Sequence, residues 1–169
     1  MDSAFAHDGG KYFKPVNGMD STLVGHSETY ASGVDAPGLS IDRSAENQLH
    51  NCAKFAARFR LALSAAATCV ITCRVQDSAD GSSWADYTYR ASGNVQSPAS
   101  KTVTAVGSGN YDGEIEQDTD LVGARQYVRG VLNFTFSVPG TDTGETSALF
   151  IFTGGPSLPQ GGPIPVTNP

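Results

Sequence analysis

Val75-Gln76-Asp77-Ser78-Ala79-Asp80-Gly81-Ser82-Ser83-Trp84-Ala85-Asp86-Tyr87 carries a complete turn signal. An alternating run enters an Asp-Gly pair and leaves through an apolar Trp. That is the pattern of a β-hairpin, in which Gly takes the positive φ that a tight turn requires. Upstream, residues 68–76 place Cys69, Ile71, Cys73 and Val75 on one face of a strand. Residues 53–63 do the same with Phe55, Ala57, Phe59, Leu61 and Leu63, leaving Arg58 and Arg60 on the other face. Downstream, residues 84–90 alternate aromatics, and 101–106 and 113–117 are shorter runs. Residues 126–138 align Val128, Leu132, Phe134, Phe136 and Val138, with Gly130 expected as a bulge. Residues 148–153 close the set. A helix capped by Ser44, with Leu49, Cys52, Ala53 and Ala56 along one side, competes with the strand reading over residues 44–57; the strand is preferred. Seven or eight short strands separated by turns predict an all-β fold, an antiparallel β-sandwich that is jelly-roll-like.

Composition agrees. A chain of 169 residues suits one domain with a real core, and 19 Gly with 9 Pro suit a turn-rich β protein. Only 17% of residues are charged, so Ser, Thr, Asn and Gln carry much of the surface. The net charge is −6, and the Lys and Arg form no run. Phosphate neutralisation needs clustered cations, so no nucleic-acid partner is expected. The first eight residues lack the basic start and apolar centre of a signal peptide, and no run of eighteen apolar residues exists. No secretion and no membrane partner are expected. Asn133-Phe134-Thr135 matches a glycosylation sequon, read as chance without secretion.

The chain divides into three zones. Residues 1–45 are punctuated by Gly and Pro every few positions and read as an irregular N-terminal arm, with one short strand near 21–26. Residues 46–153 carry the sandwich core. Residues 154–169 alternate Gly and Pro and read as a tail, either an end without a role or a second arm docking on a neighbouring subunit.

Candidate chemistry is sparse. Residues 78–84 nearly match the Asp box of sialidases, but the Asp and Gly are adjacent here. That motif is a folding device, its carboxylate bonding turn amides and its Trp packing beneath. Asp77, Asp80 and Asp86 lack the ligand spacing of a calcium loop. Asp112, Glu114, Glu116, Asp118 and Asp120 alternate, so a strand would point all five to one side. A solvated or partner-facing edge is preferred to a metal site. Cys69 and Cys73, about 13 Å apart along one strand at ~3.3 Å per residue, cannot form a disulfide. With Cys52 they read as small buried apolar residues. His7, His26 and His50 lie in or near the leader, and no nucleophile elbow, metal-ligand spacing or phosphate loop is present. Trp84, Tyr87 and Tyr89 read as core packing in preference to a sugar platform. No enzyme, no catalytic, metal or cofactor-binding residue and no cofactor is expected.

Three segments in order, Leu39-Ser40-Ile41-Asp42-Arg43, the hairpin 75–84, and Gly123-Ala124-Arg125-Gln126-Tyr127-Val128-Arg129-Gly130-Val131-Leu132, carry a resemblance. Together they span about ninety residues and resemble small β-sandwich head proteins of tailed bacteriophages, many of them capsid decoration (cement) proteins. The resemblance implies a virion protein on the capsid exterior, assembled in the host bacterial cytoplasm. It implies binding to the major capsid protein lattice and self-association, with a trimer expected. A neck, tail or fibre component, or a carbohydrate-binding module displayed on the particle, is the alternative.

Overall fold

The structure, a computed structural model, describes residues 14–24, 30–44, 51–89 and 92–153. Its strands are β1 (Lys14–Val24), β2 (Asp35–Pro37), β3 (Ile41–Asp42), β4 (Cys52–Leu63), β5 (Thr68–Ser78), β6 (Ala85–Asp86), β7 (Ala99–Thr104), β8 (Gly109–Asp120), β9 (Tyr127–Phe136) and β10 (Thr143–Thr153). No helix occurs among the described residues.

The antiparallel order β1-β10-β4-β8 makes one sheet, and β2-β9-β5-β6 the other. In the second sheet β3 also pairs with β9, and β7 with β5. Taking β2 with β3, and β6 with β7, as single interrupted positions leaves four positions per sheet. The first then pairs with the last, the second with the seventh, the third with the sixth and the fourth with the fifth. That nesting is the connectivity of a jelly roll, and the expected sandwich is what forms. The Val75–Tyr87 stretch lies at its innermost pairing, where β5 meets β6.

The alternation read from the sequence puts Phe55, Phe59, Leu61 and Leu63 of β4 inside, facing Cys69, Ile71, Cys73 and Val75 of β5 and Leu132, Phe134 and Phe136 of β9. Phe59 meets Phe134 edge-on across the sandwich at 6.4 Å between ring centroids. Phe55 packs on its register partner Phe150 of β10 at 4.9 Å. Each such fully buried side chain contributes roughly 1.5–3 kcal/mol of transfer free energy.

Residues 52–57 are strand, the preferred reading, because the inward positions continue the two-residue period of β4. Several other expectations need correction. Much of the expected N-terminal arm is built into the sandwich. β1 pairs with β10, and β2 and β3 pair with β9. Register shifts at Asn17/Met19 and Met19/Thr22 break the alternation of β1 and hide it in the sequence. Gly130 is no bulge, since it sits in unbroken register opposite Val75. The expected 84–90 strand stops at Asp86, and the chain turns back on itself with Thr88 opposite Val95 before β7 resumes along β5. The turn at Gly81 (φ 73°) is wider than a tight hairpin, because pairing closes at Asp77 and Ala85. Val138 lies beyond β9 and is exposed. Residues 154–169, including the expected tail, lie outside the described residues.

Candidate interaction face

β8 runs for 12 residues where the sequence suggests a run over 113–117, with Ile115 its only large buried side chain. Its outward residues explain it. Register places Arg60 between Glu145 and Asp112, Arg58 between Ser147 and Glu114, and Ala56 between Leu149 and Glu116. The pattern continues with Lys54 between Ile151 and Asp118, and Cys52 between Thr153 and Asp120. The acidic column of β8 thus runs beside a basic column on β4. Lys54 Nζ lies 2.5 Å from Glu116 and 3.6 Å from Asp118, and Arg60 Nε lies 3.0 Å from Asp112. The hydrogen bond to Glu116 raises the Lys54 pKa above its ordinary value, and the one to Asp112 raises that of Arg60. Cross-strand pairing of opposite charges stabilises the strand register while the acidic edge discourages stray pairing.

The cations do not balance the face. Asp20 of β1 and Glu145 of β10 add to the five carboxylates of β8, against Lys54, Arg58 and Arg60. The carboxylates of β8 point to solvent, as expected of a solvated or partner-facing edge. Among the described residues, no group of three or more His, Cys, Asp or Glu side chains is placed to hold a metal ion.

This face is also hollow. A depression of about 580 Å³ is lined by residues of all four strands, among them Asn17, Ser147, Leu149, Ala56 and Glu116. It shares Ser21, Arg58 and Ser147 with a neighbouring depression of about 280 Å³. A third, about 540 Å³, lies beside Lys54, Asp118 and Ile151. Leu149 is 48% exposed here.

On the opposite outer face a cluster of polar side chains is mutually satisfied. Arg74 bonds Asp35 and, at 2.9 Å, Asp86; Gln76 donates to Asp86 and accepts both Nε and Nη2 of Arg129. Trp84 covers the Arg129 guanidinium at 4.3 Å. Burial pushes the Asp35 carboxyl up, but bonds from Arg74 and Asn133 and the nearby guanidinium charges outweigh it, and its pKa lies below the ordinary value.

The turn at 78–83 behaves as a folding device. Asp80 Oδ1 accepts the amides of Ser83 (2.7 Å) and Ser82 (2.8 Å) and the Ser78 hydroxyl (2.8 Å), while Oδ2 accepts the Ser83 hydroxyl. These bonds, the Ser83 and Ser82 amides foremost, hold the Asp80 carboxyl far below the usual range. Tyr127, not Trp84, packs beneath the turn, its ring 3.5 Å from where a Gly81 side chain would start. Asp77 instead accepts the Arg125 amide, and Asp86 serves Arg74, so the three aspartates have separate tasks.

Sequence reasoning missed Arg43. It is 7% exposed and donates to the carbonyls of Ala124 (2.6 Å), Arg125 (3.0 Å) and Leu121 (3.1 Å). Its amide bonds Gln126 O. The three segments that carry the phage resemblance therefore converge at one end of the roll. Arg43 ties the first to the third, Asp77 ties the second to the third, and Trp84 stacks on Arg129. A lone Arg after a short apolar run offers no periodicity by which to find it; its only signal was its place in that resemblance.

Tyr87 is 1% exposed and donates to Val122 O, packing edge-on against Tyr89. Trp84, Tyr87 and Tyr89 do not make an exposed platform. Cys69 and Cys73 are buried as expected, and burial pushes both thiols up to about 12. Cys52 departs from expectation and is exposed. His7, His26 and His50 lie outside the described residues.

No family model matches the sequence, and no curated protein matches it. Among solved structures, the chain is similar to one in a structure of infectious bursal disease virus, Gx strain. That likeness has a TM-score of 0.46 and 8% identity over 83% of this chain. This chain spans 32% of the length of that one.

Proposed function

We propose that this chain is a structural protein of a tailed-bacteriophage particle, a capsid decoration (cement) protein that binds the major capsid protein lattice and stabilises the head. The observation that carries the reading is the convergence of the three resembling segments. In this chain they form one bonded unit, Arg43 donating to the Ala124 and Arg125 carbonyls and Asp77 accepting the Arg125 amide beside the Asp80 turn, which supports reading the three segments together. Jelly rolls serve capsids, lectins and cupins alike, so the fold alone selects no function. In this reading the chain performs no reaction. It works by binding the assembled shell on the capsid exterior, and self-association into a trimer would multiply weak contacts.

Copy number in purified particles, counted against the major capsid protein by quantitative mass spectrometry, tests this. A ratio of order one is the expected result. A dozen copies per particle would move the chain to the neck or tail, and absence would overturn the assignment.

A further inference from the structure

We infer that the outer face of the β1-β10-β4-β8 sheet is the docking surface, and that its occupant is a lysine- and arginine-bearing surface of the major capsid protein. This rests on the capsid reading above and adds which face docks and what it meets.

Three properties of this face support the assignment. It is hollow across its full width, with depressions of about 580 and 280 Å³ sharing Ser21, Arg58 and Ser147. The volume of the larger one leaves room for long side chains to enter, and the half-exposed Leu149 in its lining offers them apolar contact. The charge of the face is unbalanced toward the negative, since Asp20, Glu145 and the five carboxylates of β8 face only Lys54, Arg58 and Arg60. A cationic partner satisfies that surplus. A second copy of this chain, with net charge −6 and the same acidic face, would oppose it. The other outer face is less suited to a charged partner, because its Arg74, Gln76, Asp86 and Arg129 already satisfy one another.

Carbodiimide treatment of purified particles tests the assignment directly, because it joins only a carboxylate and an amine already in contact. The expected result is amide cross-links from the β8 carboxylates to lysines of the major capsid protein. In parallel, Ala56→Arg fills the trough from the solvent side, while Thr72→Arg places the same bulk on the opposite face. Particles assembled with the first should carry about tenfold fewer copies, the loss expected when roughly 1.4 kcal/mol of binding is removed. The second should load as wild type, and matched melting temperatures show that both variants fold. Cross-links confined to Asp35 or Asp86, or wild-type loading of Ala56→Arg, would overturn the docking assignment and leave the capsid reading standing. Absence of the wild-type chain from particles would remove both.

Discussion

A Cβ on Gly130 would lie 2.2 Å from the Phe55 ring, and one on Gly38 would lie 2.2 Å from the Gly18 carbonyl oxygen. Neither glycine has the left-handed φ seen at Gly81, so what they supply is space, not conformational freedom. Gly18 belongs to the same corner, with the Phe55 ring 3.1 Å from its Cβ position. Gly130→Ala is therefore expected to destabilise the fold by about 1–3 kcal/mol, as overpacking does. Phe55→Leu in the same chain should relieve part of that loss, because the two positions share one volume and their effects do not add. Urea denaturation of both single variants and the double variant measures the coupling. Additive losses would mean that the two do not share this space.

At the scale of the element, Arg43 holds the segment after β3 to the loop between β8 and β9 through three carbonyls. Arg43→Ala leaves the buried Leu121 carbonyl and two part-buried carbonyls without their donor and should cost about 2–3 kcal/mol. Arg43→Lys should recover only part, since one ammonium cannot reproduce the planar fork. Urea midpoints of the two variants check this order. Elements such as β4, β5 and β9 were legible because each carries its own inward period, from Phe55 to Leu63, Cys69 to Val75 and Val128 to Phe136. β1 was obscured by its register shifts. β8 was cut short because the reasons for its length, Lys54 and Arg60, lie 62 and 52 residues before their carboxylates on another strand. The split of β6 from β7 depends on a small hairpin at Thr88 and Val95 that borrows the same alternation as a strand. The acidic column was legible as a one-sided face, but its cationic neighbours and the trough beside it arise only from sheet order.

For the whole molecule, pH reports on carboxylates held by the fold. Asp35, Asp42 and Asp80 all titrate below the ordinary 3.8 in the folded chain. Bonds from the Ser44 hydroxyl and amide hold Asp42 there. Groups with a depressed folded pKa add stability that is complete above the unfolded value and is lost as pH falls toward the folded one. Stability should thus be flat from about pH 7 to 5 with respect to these groups and decline below about 4. Asp80→Asn should make that decline shallower, as urea midpoints across the range would show; an unchanged slope would remove Asp80 from the account. The glycine corner has a wider consequence. There the Leu39 amide bonds Gly18 O at 2.8 Å, linking the two sheets main chain to main chain. On the opposite side, the links from β7 to β8 run through the side chains of Lys101 and Gln117. The roll is therefore bound like a book, stitched along a spine at Gly18 and only clasped along its fore-edge. When the molecule breathes it should open from the β7–β8 side, with the acidic cover swinging on that spine.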